Sequence, residues 1–286
     1  MEVKKADENV QGVLPTGTTT FYTMIGAPVA QVKAPLIFNR YFSRHGIDAV
    51  MIAMSVPPDQ VASHFRHMRA LSNFGGSIVT VPHKHAAVDS MDELSERAGL
   101  LMSVNVVRTE KGRLVGDMVD GLGFMAALDT HGLSMSGKRA AIIGAGGAGS
   151  AVAHAIAQAG AEEVVIREIR TERHGFLERV MKAANARIKL SFDLAGLEGF
   201  DLVVNATPLG MNDDIRLPFS TQSLRPPTLV ADLVTNPKLT PWLAGALEKG
   251  CEVVYGVEMV YGQIAYLGRH LGFDLQDDED GAAVCC

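Results

Sequence analysis

The chain contains 286 residues, of which 47% are hydrophobic and 20% charged, and its formal net charge at pH 7 is −6. This length suits about two domains, each with its own core. The sequence has no run of basic residues and no apolar stretch of about 18 residues, so we expect neither a nucleic-acid partner nor a membrane span.

The two ends and the cysteines bear on location. The opening residues, MEVKKADENVQG, lack the apolar core of a secretion signal. The three cysteines, Cys251, Cys285 and Cys286, form no disulfide framework. We therefore expect a cytoplasmic protein, and we expect its acidic tail to be a frayed end.

Strand-like and helix-like segments alternate through the first half of the chain. Pro35 suits the first turn of a helix and Gly46 suits its end. The alternation predicts a mainly parallel sheet with helices on its faces. The predicted strands are 19–26, 48–56 and 76–82, the predicted helices are 35–46, 58–73 and 92–100, and a hairpin is predicted over 104–117.

A second alternating series begins at residue 138. Its predicted strands are KRAAIIGA, EEVVIRE, DLVVNAT, TLVADLV and CEVVYG, and helices lie between most of them. A last apolar helix is predicted over 260–272, where it can fold back onto the first domain. This series predicts a doubly wound, Rossmann-type domain.

A glycine-rich turn connects the first strand of this series to its first helix. Gly144 permits a tight turn, Gly146 lets the backbone approach a pyrophosphate, and Gly149 lets helix and strand pack closely. The helix N-terminus adds amide donors for phosphates. The predicted cofactor-binding turn comprises Gly144, Ala145, Gly146, Gly147, Ala148 and Gly149.

The end of the next strand bears on the choice between NAD and NADP. Glu168 lies where an acid accepts hydrogen bonds from a ribose 2′-hydroxyl and repels a 2′-phosphate. Arg167 precedes it, Arg170 and Arg173 follow it, and guanidinium groups suit a phosphate. The balance favours NAD and leaves NADP open.

Two features of the first half carry chemistry. Lys84 follows a strand and a proline turn, so its side chain is expected at the strand end where ligands bind. Asp117 and Asp120 lie among glycines before the second domain, and a carboxylate near a lysine is a plausible proton-transfer pair. The histidines that flank Lys84 lack further spaced ligands, so no metal site is predicted.

These segments resemble the shikimate dehydrogenase family. VTVPHK (79–84) is similar to the segment with the family's catalytic lysine, SVNVV (103–107) to A-V-N-T, and GDMVDGLGF to G-D-N-T-D-G-x-G-F. NATPLGM (205–211), DLVTNPKLTP (232–241) and YGVEMVYGQ (255–263) match later motifs of the family. The matches run in the family's order through nearly all of the chain.

The resemblance implies a two-domain α/β enzyme with an N-terminal substrate domain (1–121 with 258–286) and a Rossmann domain (122–257). It implies that Lys84 shuttles the proton with Asp120 as its partner. Substrate contacts are implied for Thr80, Asn105 and Gln263, and cofactor contacts for Ala206, Thr207, Met211, Gly256 and Met259.

The chain departs from the family where the substrate carboxylate is expected. The first loop of the family has two serines that bind this carboxylate, and Val32 and Ala34 occupy their places. A tyrosine with the same role is replaced by Thr235. Lys33, Gln31 or Thr235 can take over the carboxylate; otherwise the pocket fits a less charged substrate.

We therefore predict a dehydrogenase of shikimate, quinate or a related cyclic hydroxy acid that uses NAD or NADP, as a monomer or homodimer. Two alternatives stay open. One is a non-catalytic sensor that binds a metabolite or the cofactor, and the other is a two-domain dehydrogenase with a different substrate.

Overall fold

The structure is a computed structural model that describes residues 14–275, so the first residues and the tail with Cys285 and Cys286 lie outside it. Two compact units divide the described chain. Unit 1 contains residues 14–94, 104–117 and 268–275, and unit 2 contains residues 95–103 and 118–267. No helix within the described residues is both long and apolar enough to cross a membrane.

Unit 1 is built on a six-stranded sheet. Its strands are β1 (Thr20–Gly26), β2 (Ala49–Ser55), β3 (Phe74–Val79), β4 (Glu93–Leu94), β5 (Val106–Glu110) and β6 (Arg113–Asp117), and its helices include α1 (Ala34–Arg44) and α2 (Val61–Met68). The strand order is β2-β1-β3-β5-β6-β4. The pairs around β1 are parallel, and the predicted hairpin β5–β6 is antiparallel and joins β3 antiparallel.

An aromatic cluster holds unit 1 together across distant parts of the sequence. Phe42 on α1 packs against Tyr22 on β1, with their ring centroids 5.8 Å apart. Phe273, near the end of the described chain, packs on the Phe42 ring at 5.0 Å. Large rings bury much apolar area, so these contacts explain why the final described residues belong to unit 1.

Unit 2 is built on a second six-stranded sheet in which every pair is parallel. The strand order is β12-β11-β10-β7-β8-β9, the doubly wound order of a Rossmann domain. The strands are β7 (Arg139–Ile143), β8 (Glu163–Arg167), β9 (Lys189–Ser191), β10 (Leu202–Asn205), β11 (Leu229–Asp232) and β12 (Val253–Val254). The helices are α3 (Glu96–Leu101), α4 (Asp120–Thr130), α5 (Gly147–Gln158), α6 (His174–Ala184), α7 (Pro241–Glu248) and α8 (Gly256–Gly262), and α9 (Ile264–Leu271) begins in this unit and ends in unit 1.

The limits of unit 2 differ from the predicted limits of the Rossmann domain. Residues 118–121 and 258–267 pack in unit 2, and so does α3. The start of α4 fits tightly on α5, because a Cβ at Gly121 would lie 2.4 Å from the Ala151 carbonyl oxygen. The predicted last helix is two helices, of which α8 belongs to unit 2. The assignment of substrate and cofactor roles to the two domains stays a prediction.

Candidate active site

The glycine-rich turn lies at the point in unit 2 where the strand order reverses. It follows β7, and the neighbouring strand β10 leads into Ala206 and Thr207. Gly144 has φ of +90°, and a Cβ there would lie 2.7 Å from the Thr207 methyl carbon. Only glycine accommodates both the positive φ and the short distance to Thr207. The ends of β7 and β10 therefore lie in close contact.

The other two glycines of the motif differ in their surroundings. A Cβ at Gly149 would lie 2.3 Å from the Gly144 carbonyl oxygen, because α5 packs directly on the turn. A Cβ at Gly146 would have no atom within 4 Å. Gly146 therefore leaves open space at the start of α5, and this arrangement fits a dinucleotide pyrophosphate.

Glu168 is bonded inside the protein. Its Oε1 accepts hydrogen bonds from Arg170 N and Nε, both at 3.0 Å, and its Oε2 accepts from Ala145 N at 3.1 Å and from Arg170 Nη2 at 3.0 Å. Burial alone would raise its pKa, but the bonds from Arg170 and Ala145 lower the pKa of Glu168 to about 2. The carboxylate of Glu168 is therefore ionised, and both of its oxygens already accept hydrogen bonds from the protein.

Arg170 and Arg173 play different parts around this acid. The Arg170 side chain is 49% exposed, so its guanidinium also faces solvent. Arg173 donates through Nη2 to the Ala145 carbonyl at 3.0 Å and stacks over Phe176 at 5.2 Å. Ser150 donates to the same carbonyl at 2.9 Å. Arg173 and Ser150 thus brace the glycine-rich turn.

A buried polar network at the ends of β10 and β11 was missed by the sequence analysis. Asp232 is buried and accepts hydrogen bonds from Asn205 Nδ2 at 3.0 Å, Val234 N at 2.9 Å and Thr240 Oγ1 at 2.7 Å. Burial raises the pKa of Asp232 to about 6, against the effect of these three donors. A single polar residue at the end of each apolar strand was the available signal.

This network orders the loops that carry other predicted cofactor residues. Thr207 donates through Oγ1 to Asn205 Oδ1 at 2.7 Å, and Ala206 continues the sheet through a bond from its N to the Ile143 carbonyl at 2.8 Å. Met211 in the same loop is exposed. Thr235, in the loop after β11, is half-buried. Ala206 and Thr207 therefore lie beside the glycine-rich turn.

Four more predicted site residues lie on helices α4 and α8 or directly after α8. A Cβ at Gly256, the first residue of α8, would lie 2.2 Å from the Val234 carbonyl oxygen, so α8 starts directly against the loop after β11. Met259 on α8 is buried, and Gln263 follows the helix. A Cβ at Gly123 on α4 would lie 2.5 Å from Gln263 Cβ. Asp120, the first residue of α4, is buried on the same helix.

In unit 1, backbone hydrogen bonds bring together the segments that contain Lys84, Thr80 and Asn105. Lys84 is half-buried in the turn after β3, and its carbonyl accepts from Val104 N at 2.8 Å. The Asn105 carbonyl accepts from Val79 N at 2.8 Å, and Asn105 is buried. Lys84 therefore lies at the carboxyl end of a parallel strand, as predicted from its place in the sequence.

The first loop of unit 1 reaches Thr80. A Cβ at Gly26 would lie 2.5 Å from the Thr80 methyl carbon. Beyond it, Val32 is half-buried, Lys33 is exposed, and Ala34 is buried as the first residue of α1. Neither Val32 nor Ala34 offers a side-chain hydrogen bond.

The histidine before Lys84 is bonded to the backbone of unit 1. His83 is buried, and its Nε2 donates to the Val56 carbonyl at 2.7 Å. Within residues 14–275, no group of three or more His, Cys, Asp or Glu side chains could hold a metal ion.

Comparison with known proteins identifies the family. A family model for the shikimate dehydrogenase substrate binding domain matches residues 24–107. The shikimate dehydrogenase (NADP(+)) of Geobacillus kaustophilus strain HTA426 is 35% identical over 248 residues, which cover 85% of this chain and 88% of that relative. The chain belongs to the shikimate dehydrogenase family.

Two solved structures share the fold of this family member. A shikimate dehydrogenase in complex with NADP+ is similar with a TM-score of 0.83 at 28% identity, covering 92% of this chain and 93% of that chain. The ligand-free form of 5-ketofructose reductase from Gluconobacter sp. strain CHM43 is similar with a TM-score of 0.80 at 29% identity, covering 94% and 98%. The predicted α/β fold class is confirmed, whereas the predicted preference for NAD is not supported.

Proposed function

We propose that this chain is an NADP-dependent dehydrogenase that acts on a ring hydroxyl of shikimate, quinate or a related cyclic hydroxy acid. The observation that carries the proposal is the position of Lys84. A half-buried lysine beside Asn105 and Thr80 at the carboxyl end of β3 lies where open α/β sheets bind ligands.

The proposed chemistry assigns the proton to Lys84 and the hydride to the cofactor. When bound, the nicotinamide supplies or accepts the hydride. The Lys84 ammonium donates a proton to the substrate oxygen during reduction, and the neutral amine accepts it during oxidation. Asp120 is the proposed acidic partner of Lys84. Thr80, Asn105 and Gln263 are proposed to orient the substrate through its hydroxyl groups.

The proposed preference for NADP rests on Glu168 and Arg170. An acid that selects NAD must offer an oxygen to the ribose 2′-hydroxyl. Both oxygens of Glu168 already accept bonds from Arg170 and Ala145. Because Arg170 is half-exposed, its guanidinium can receive a 2′-phosphate. The NADP(+) in the name of the Geobacillus kaustophilus relative supports the same choice.

The substrate carboxylate has fewer partners than the family pattern provides. Hydrogen bonds to a charged group contribute about 1.5–3 kcal/mol each, so replacing two serines by Val32 and Ala34 weakens carboxylate binding unless Lys33 or Thr235 compensates. The likeness to 5-ketofructose reductase supports a second candidate substrate, an uncharged polyhydroxy ketone.

An activity matrix tests the proposal. The purified protein is incubated with shikimate and quinate in the oxidising direction and with 3-dehydroshikimate and 5-ketofructose in the reducing direction, each with both cofactors, and the absorbance of reduced cofactor is followed. We expect turnover with NADP(H). Cofactor binding without turnover of any compound favours the non-catalytic sensor. A low KM for 3-dehydroshikimate contradicts the weakened binding of the substrate carboxylate.

A further inference from the structure

Three charged groups of unit 2 form a bridge at the opposite end of α4 from Asp120. His131 follows the last turn of α4, and its side chain is 16% exposed. Its Nδ1 lies 2.7 Å from Glu252 Oε1, and its Nε2 lies 2.7 Å from Glu258 Oε2. We call these three residues the His131 bridge.

The geometry of the His131 bridge requires a charged ring. Ionised carboxylates only accept hydrogen bonds, so both nitrogens of His131 must donate. Burial alone would lower the pKa of His131, but the bonds to Glu252 and Glu258 outweigh it, and the pKa is raised. A positive charge at the C-terminus of α4 also interacts favourably with the helix dipole.

Glu258 connects this bridge to the first turn of α8. Its Oε1 accepts a hydrogen bond from Tyr255 N at 2.8 Å, and its own backbone N donates to the Tyr255 carbonyl at 2.9 Å. One carboxylate therefore closes the start of α8 and receives His131. Glu252, by contrast, is 66% exposed and precedes β12.

Helix α8 is thus held against α4 at both of its ends. At its far end, a Cβ at Gly262 would lie 2.3 Å from the Gly123 carbonyl oxygen, so the two backbones touch. At its near end, the contact to the end of α4 is the bond between Glu258 and His131. The two helices run antiparallel, and Gly256 and Met259 lie between these two points of contact or next to them.

We propose that His131 is a positioning residue, which fixes the start of α8 through Glu258 and so sets Gly256 and Met259 in place for the bound nicotinamide. The assignment of α8 to the nicotinamide rests on the proposed function. The attachment of α8 to α4 rests on the distances alone.

The proposal predicts a loss of cofactor affinity at alkaline pH. The titratable groups that face His131 are Glu252, from the segment before β12, and Glu258, from α8; on α4 itself, Asp129 is exposed. Because the pKa of His131 is raised above its ordinary value of 6.5, the bridge is complete below that value. It is lost as the pH rises through the raised pKa, when one bond disappears and the two carboxylates repel each other.

The test compares NADPH dissociation constants from cofactor fluorescence across the range from about pH 6 to about pH 9. We expect His131→Leu to weaken NADPH binding about fivefold at acidic pH and to flatten the pH dependence. The wild type should approach the value of this variant as the pH rises. Glu258→Gln should weaken binding more than the matched control Glu252→Gln, since Glu252 closes no helix.

His131→Arg separates positioning from mere structural support. Arginine keeps its charge at alkaline pH, so this variant should bind NADPH there as tightly as the wild type does at acidic pH. Equal affinities and equal pH profiles for the wild type and His131→Leu would overturn the proposal, and so would an Arg variant that loses affinity like Leu. Because the measured quantity is cofactor binding, a failure to turn over any alcohol would count against the proposed function alone.

Discussion

The two units of this protein constrain their functional residues in different ways. In unit 2, the glycine-rich turn is fixed by backbone contacts, and a Cβ at Gly144 or Gly149 would lie within 3 Å of another atom. In unit 1, the parallel core of the sheet is kept, while Val32 and Ala34 in the first loop offer no side-chain donors where the resemblance to the family implies serines. Backbone packing preserves a motif, whereas side-chain hydrogen bonds can change without altering the fold.

The largest expected effect on stability concerns the two kinds of glycine in unit 2. Gly149→Ala should lower the free energy of unfolding by about 3 kcal/mol, because the added methyl overlaps the Gly144 carbonyl. Gly146→Ala is the matched control for stability, since nothing lies near its added methyl. It should leave stability within about 0.5 kcal/mol and weaken NADPH binding at least about tenfold. Urea unfolding measures stability, and cofactor titration measures NADPH binding. A Gly146→Ala variant that loses stability, beside a Gly149→Ala variant that keeps it, would refute this assignment.

A smaller effect distinguishes the cofactors. Arg170→Gln should weaken NADPH binding about 10- to 100-fold, because it would remove the proposed charge-assisted bonds to a 2′-phosphate, and should change NADH binding little. Arg167→Gln is the control in the same segment, because Arg167 stacks on Phe219 at 5.1 Å. Equal losses of NADPH and NADH affinity in Arg170→Gln would show that this arginine does not bind the 2′-phosphate.

The smallest effect is a gain in unit 1. The double variant Val32→Ser with Ala34→Ser should lower the KM for shikimate about tenfold, if this loop binds the substrate carboxylate as the resemblance implies, because two hydroxyl donors would then be added. Leu36→Ser, at an exposed position of α1, controls for added polarity. An unchanged KM in the double variant would mean that this loop does not face the carboxylate.

The sequence predicted what depends on local patterns. The alternation of elements predicted both sheets, and the glycine spacing predicted the turn after β7. The strand position of Lys84 was also predicted. The family motifs added Asn105, Thr80 and the loop at Ala206, which the structure places on the same strand ends within their own units.

Contacts between distant residues were not predicted. Glu168 was interpreted as a cofactor acid because its position fits that role, but whether Arg170 occupies its oxygens depends on side-chain geometry. Asp232 and Thr240 are joined only by the fold, and so are His131 and Glu258. The division of the chain also differed, because α8 packs on α4 through glycines whose contact no local pattern reveals.

The measurement that tests the central claim most directly is the turnover number of Lys84→Ala with the best substrate of the activity matrix. If Lys84 transfers the proton, kcat should fall by about 10²- to 10⁴-fold while NADPH binding stays unchanged. Lys182→Ala, at an exposed position of α6, should keep the wild-type kcat. A Lys84→Ala variant that turns over at the wild-type rate would contradict the account.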